Sequence, residues 1–67
     1  MMTTQWVKQE IKRAVRYARH VDEEMAEARA HKKKGEPALL VRHHVRWARK
    51  YNHELVKSIR EIAEYLP

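Results

Sequence analysis

The chain has 67 residues, with 15 Lys and Arg against 9 Asp and Glu, five His and no Cys. So short a chain holds one domain at most, near the lower limit for a self-sufficient core, where a disulfide, a metal or a partner subunit usually adds stability. The absence of Cys removes disulfides, thiolate zinc sites and Cys nucleophiles, one Gly and two Pro are too few for an all-β fold, and the longest apolar run, Ala38-Leu39-Leu40-Val41, falls far short of the ~20 residues that span a bilayer.

The start of the chain, Met1-Met2-Thr3-Thr4-Gln5-Trp6, lacks the basic region and apolar stretch of a secretion signal. With the high charged fraction, this leads us to expect a cytoplasmic protein or one held within a nucleoprotein particle. A first helix is predicted over about 4–33, with Thr3 or Thr4 as its cap. Its apolar residues Val7, Ile11, Ala14, Ala18, Val21, Met25 and Ala28 follow at alternating spacings of 4 and 3, a heptad seam.

The turn is predicted at 34–36, within Lys32-Lys33-Lys34-Gly35-Glu36-Pro37. Gly35 can adopt the positive φ that ends a helix. The lysines before it favour the negative end of the helix dipole, and Pro37 suits the first turn of the next helix. The second helix is predicted over about 37–66, with Ala38, Val41, Val45, Ala48, Asn52, Leu55, Ile59, Ile62 and Leu66 as its seam. Asn52 in that seam reads as a register or oligomer-state determinant.

Folding the chain about Gly35 places residues whose numbers sum to about 70 side by side, so that Ile11 meets Ile59 and Ala18 meets Asn52. The expected fold is therefore all-α: residues 1–67 form a single antiparallel, coiled-coil-like two-helix hairpin. Further apolar residues remain beside the seams, namely Leu40, Trp47 and Tyr51 on the second helix and Trp6, Val15 and Tyr17 on the first. Exposed aromatic patches of this kind mark association sites. The expectation is a homodimer forming a four-helix bundle, with Trp6, Tyr17, Leu40, Trp47 and Tyr51 at its interface. In length and topology such a protein resembles the small helical-hairpin dimers that bind RNA through an outer helix face.

Charge carries the functional reading. His43, Arg46, Lys50, His53, Lys57 and Arg60 recur at spacings of 3 and 4 and so line one side of the second helix opposite the seam, with Arg42 and Arg49 beside them. This stripe extends about 25 Å at ~1.5 Å per residue. Lys12, Arg16 and Arg19 continue the basic surface on the first helix, which turns acidic at Asp22, Glu23, Glu24 and Glu27. Signs alternate on the second helix only near its end, where Lys57 with Glu61 and Arg60 with Glu64 are expected to pair. Like charges in register on a helix repel one another, and a polyanion offsets that repulsion by releasing condensed counterions.

The expected function is non-enzymatic binding of nucleic acid, DNA or RNA, through the phosphate backbone and with weak sequence selectivity. The residues expected to contact it are Arg42, Arg46, Arg49, Lys50, Lys57 and Arg60, supported by Lys12, Arg16 and Arg19. The alternative is a structural or adaptor protein, such as a coat or scaffold subunit, working through its apolar aromatic stripe. No nucleophile stands with a suitable base, so no catalytic residue, small-molecule substrate or cofactor is expected. The histidines offer the same-face pairs His20 with Glu24 and Glu27 with His31, but neither Glu-x-x-His nor His-Glu-x-x-His spacing. No metal site is expected, and neither is a role at a membrane.

Overall fold

A computed structural model describes residues 4–66. Two helices, α1 (Thr4–Lys33) and α2 (Ala38–Glu64), pack against each other along their lengths. Thr4 already belongs to α1, and Thr3, the other expected cap, lies outside the described residues. The hairpin is a rod with Cα extents of 51 × 14 × 14 Å. Its radius of gyration is 15.4 Å, against about 11 Å for a compact domain of this length. Among the described residues, no helix is long and apolar enough to cross a membrane.

The turn forms as its residue types dictate. Gly35 has φ 69°. The Glu36 N–H donates to the His31 carbonyl and the Gly35 N–H to the Lys32 carbonyl, each at 3.1 Å. These two bonds define the Schellman arrangement, which satisfies carbonyls at the end of α1. Pro37 stands one position earlier than expected: it caps α2 from outside with φ −53° and ψ 140°, and its carbonyl accepts the Leu40 N–H at 3.0 Å. A Cβ at position 35 would meet nothing within 4 Å, so only the backbone conformation selects glycine there. Gly35→Ala is accordingly expected to cost about 1–2 kcal/mol. That lowers Tm by roughly 4–8 °C per kcal/mol in a domain of this size, measurable by thermal circular dichroism.

The expected register holds. Glu24 meets His44, His20 stacks on Tyr51 and Trp6 packs edge-on to Tyr65, all pairs whose numbers sum to about 70. Of the sixteen residues of the predicted seam, eleven are buried or half-buried and five are exposed. The shared row is Val7, Ala14, Val21 and Ala28 against Val41, Ala48, Leu55 and Ile62, with Ala28 and Ala48 each only 4% exposed. The second row is mixed: Ala18, Met25 and Val45 of the predicted seam are half-buried in it. Ile11, Ala38, Asn52, Ile59 and Leu66 are exposed, while Glu10 and Ser58 are buried and Tyr17, Glu24, His31, His44 and Tyr51 are half-buried.

The helices have thus rolled toward their polar flank, which leaves Ile11, Ile59 and Asn52 exposed rather than buried in the seam. Small alanines at the centre let the backbones approach. At that distance the polar flank forms hydrogen bonds and ring contacts across the seam, including the Glu24–His44 bond and the His20–Tyr51 stack. Asn52 lies outside the seam and sets no register within the hairpin.

Candidate nucleic-acid interface

The outer face of α2 depends only on helical periodicity, so the roll of the helices leaves it intact. Arg42, Arg46, Arg49, Lys50, Lys57 and Arg60 are all exposed, as are His43 and His53. Lys12, Arg16 and Arg19 are exposed on α1. Arg49, His53, Lys57 and Arg60 line one shallow depression with Asn52 and Val56, and Arg42, His43 and Arg46 line a second with Leu39 and Leu40. The stripe therefore presents its cations around concave spots as well as on ridges.

These cations have few partners of their own. Among the described residues, Arg13 is the only Lys or Arg within ion-pair distance of a carboxylate, its Nη1 lying 3.4 Å from Glu10 Oε1. The pairs expected between Lys57 and Glu61 and between Arg60 and Glu64 are not formed. Exposed pairs of this kind gain little over hydration, and ordering two long side chains costs about as much as the pair returns. Lys50 instead places its Nζ 4.8 Å from the Trp47 ring centroid, a cation–π contact. Nine candidate contact residues thus keep their charge available to an incoming anion.

The aromatic residues divide. Tyr51 stacks on His20 with ring centroids 4.7 Å apart, and Trp6 meets Tyr65 at 5.6 Å. Together with half-buried Tyr17, these side chains spend part of their surface inside the hairpin. Leu40 and Trp47, at 37% and 39% exposure, stay available, as does Val15, and the roll adds Ile11, Val56 and Ile59 as exposed apolar side chains.

Near the turn the structure assembles residues that no single-helix spacing joins. His44 Nδ1 lies 2.6 Å from Glu24 Oε2, and His31 Nδ1 lies 3.0 Å from Glu36 Oε2. The two imidazoles stack at 5.1 Å with an interplanar angle of 15°. Donor atoms of Glu27, His31 and His44 lie within 4.8 Å of one another, so these three could hold a metal ion. His20 faces Glu23 at 3.6 Å and stacks on Tyr51, apart from this group. Spacing along one helix shows only Glu27 with His31. The fold about Gly35 that sets the register also puts position 44 beside positions 27 and 28, which was the available signal for the third member.

No family model, curated protein or solved structure matches the chain.

Proposed function

We propose that the protein is a non-enzymatic nucleic-acid-binding hairpin that contacts the phosphate backbone through the outer face of α2. One observation carries this reading: Arg42, Arg46, Arg49, Lys50, Lys57 and Arg60 are exposed on one side of α2, and among the described residues none lies within ion-pair distance of a carboxylate. A formal charge of +6 adds a long-range attraction for polyanions. Lys12, Arg16 and Arg19 extend the surface on α1. Contacts of this kind position a protein on a backbone without reading base edges, so binding is weakly sequence-selective. Fluorescence anisotropy with labelled duplex DNA, duplex RNA and single-stranded RNA at about 50 mM salt tests the reading. Binding to at least one is expected, and the ranking names the target. No binding to any of the three overturns it.

Assembly is the second reading, and a specific observation favours it. The chain exposes 5736 Å², whereas a folded monomer of 8.1 kDa exposes about 4500 Å². The excess, roughly 1200 Å², lies in the range that one subunit buries in an obligate homodimer. No large apolar side chain is fully buried, so one hairpin has no core of its own among the described residues. A second copy that covers the flank of Ile11, Val15, Val56 and Ile59, or the flank of Leu40 and Trp47 on the opposite side of α2, completes a four-helix bundle. Either flank borders the basic stripe, Val56 beside Arg49 and Lys57 and Leu40 beside Arg42 and Arg46, so such a dimer covers an edge of the stripe and leaves its centre at the surface.

A further inference from the structure

The turn-proximal cluster is built like a transition-metal site, and we propose that Glu27, His31 and His44 bind one zinc-class divalent ion that staples α1 to α2. The ligand set is two imidazoles and a carboxylate, which suits Zn²⁺ and its borderline neighbours rather than Ca²⁺ or Mg²⁺, whose shells are built from oxygen. Glu27 and His31 lie one turn apart on α1, with Glu27 Oε2 4.0 Å from His31 Nε2. His44 brings the third donor from α2, and one donor atom from each of the three lies within 4.8 Å of the others.

The partners of the two imidazoles form a second, independent observation. A histidine that binds a metal through one ring nitrogen typically donates its other N–H to a carboxylate, which fixes the tautomer and turns the free nitrogen toward the ion. Both histidines have that partner in place: Glu36 on His31 Nδ1 at 3.0 Å and Glu24 on His44 Nδ1 at 2.6 Å. Nε2 is then the free nitrogen of each ring. Glu24, Glu27 and Glu36 together bring three carboxylates against one dication, in the acidic part of an otherwise basic chain.

A tetrahedral ion with ligands at ~2.0–2.1 Å holds its donor atoms about 3.4 Å apart. The three groups must close by little more than an ångström, and the stacked rings must splay. Glu27, whose side chain is 62% exposed, is free to supply most of that movement, while His31 and His44 are 21% and 20% exposed and held by their carboxylates. Three protein ligands leave a fourth position for water. Because the ligands come from both helices, the ion closes the hairpin beside its turn, a cross-link that a chain without Cys cannot make by disulfide.

Calorimetric titration of the full chain with Zn²⁺, paired with the visible absorption of Co²⁺ as a coordination probe, decides the matter. The expected result is one ion per chain at every protein concentration, a tetrahedral Co²⁺ spectrum, and a Tm raised by about 10 °C at a zinc concentration 100-fold above Kd. Glu27→Gln and His44→Gln should each weaken binding at least 10-fold. Glu24→Gln should weaken it about 10-fold through the orientation of His44. His53→Gln, on the basic face, should change nothing. Glu27 is exposed enough that Glu27→Gln keeps the hairpin folded, which helicity measured alongside would establish, so its loss of binding reads the site and not the fold. Three results each overturn the proposal: no binding at about 100 μM Zn²⁺, binding unaffected by Glu27→Gln and His44→Gln, or one ion per two chains with a stoichiometry that follows protein concentration.

Discussion

Reversing two charges on α2, Arg46→Glu with Lys50→Glu, is expected to lower affinity for a duplex about 100-fold at about 0.1 M salt. Each phosphate contact that a cation makes releases ~0.9 of a counterion, and at that salt each is worth nearly tenfold in affinity. Two lost contacts give most of the effect, and the two new carboxylates add repulsion. Both side chains are exposed, and neither has a carboxylate partner that would be left unpaired. Helicity and Tm should therefore stay close to those of the parent, and the loss can be assigned to binding. Trp47→Ala is the companion variant. If the protein works by assembly through its apolar side, Trp47→Ala is the more damaging change and the double reversal leaves function nearly intact.

The second large effect concerns stability and has the opposite sign. Glu10 is only 6% exposed, and its Oε2 is buried without a hydrogen-bond partner among the described residues. Arg13 reaches the other oxygen at 3.4 Å, itself half in solvent. A buried polar atom left unpaired costs about 1–3 kcal/mol, and an apolar side chain of similar volume removes that cost. Glu10→Leu is expected to stabilise the hairpin by about 2 kcal/mol, which for a domain of this size raises Tm by about 10 °C. Chain concentration must be held fixed across the comparison, because association also raises Tm. A lower Tm for Glu10→Leu would mean that Glu10 has a partner outside its own chain, such as a cation of a second copy.

Glu10 also shows where sequence reading stops. The two helices and the turn between them were legible from local chemistry: no Gly or Pro within 4–33, then a lysine run, Gly35 and Pro37. The register followed from the position of Gly35, and the row through Ala14, Ala28 and Ala48 was correctly placed inside. The second row was placed only in part, with Ala18, Met25 and Val45 half-buried as expected. Heptad spacing favoured Ile11, Asn52, Ile59 and Leu66, but the roll of a helix about its axis depends on what the other helix offers it. Here it offers the Glu24–His44 hydrogen bond and the His20–Tyr51 stack, and the apolar row is left at the surface. That outcome strengthens the expectation of uncovered apolar surface while changing the residues that supply it.

The two candidate sites differ in the same way. The basic stripe follows from 3.6-residue periodicity on one helix, and the residues read into it are exposed on α2. The Glu27–His31–His44 group needs two helices and a register, and a search along each helix separately finds two of its three members. Cross-helix clusters become legible when positions on opposite sides of Gly35 are compared in register.

If the outer face of α2 engages a phosphate backbone, duplex binding weakens steeply as salt rises from about 50 to 200 mM. Six contacts, from Arg42, Arg46, Arg49, Lys50, Lys57 and Arg60, predict a slope of log affinity against log salt near −5, at ~0.9 per contact. A slope of that size, reduced by about 2 units in the Arg46→Glu, Lys50→Glu variant, is the expected result. A slope near zero, or one that the double reversal leaves unchanged, would contradict that engagement and move the working surface to the apolar flank.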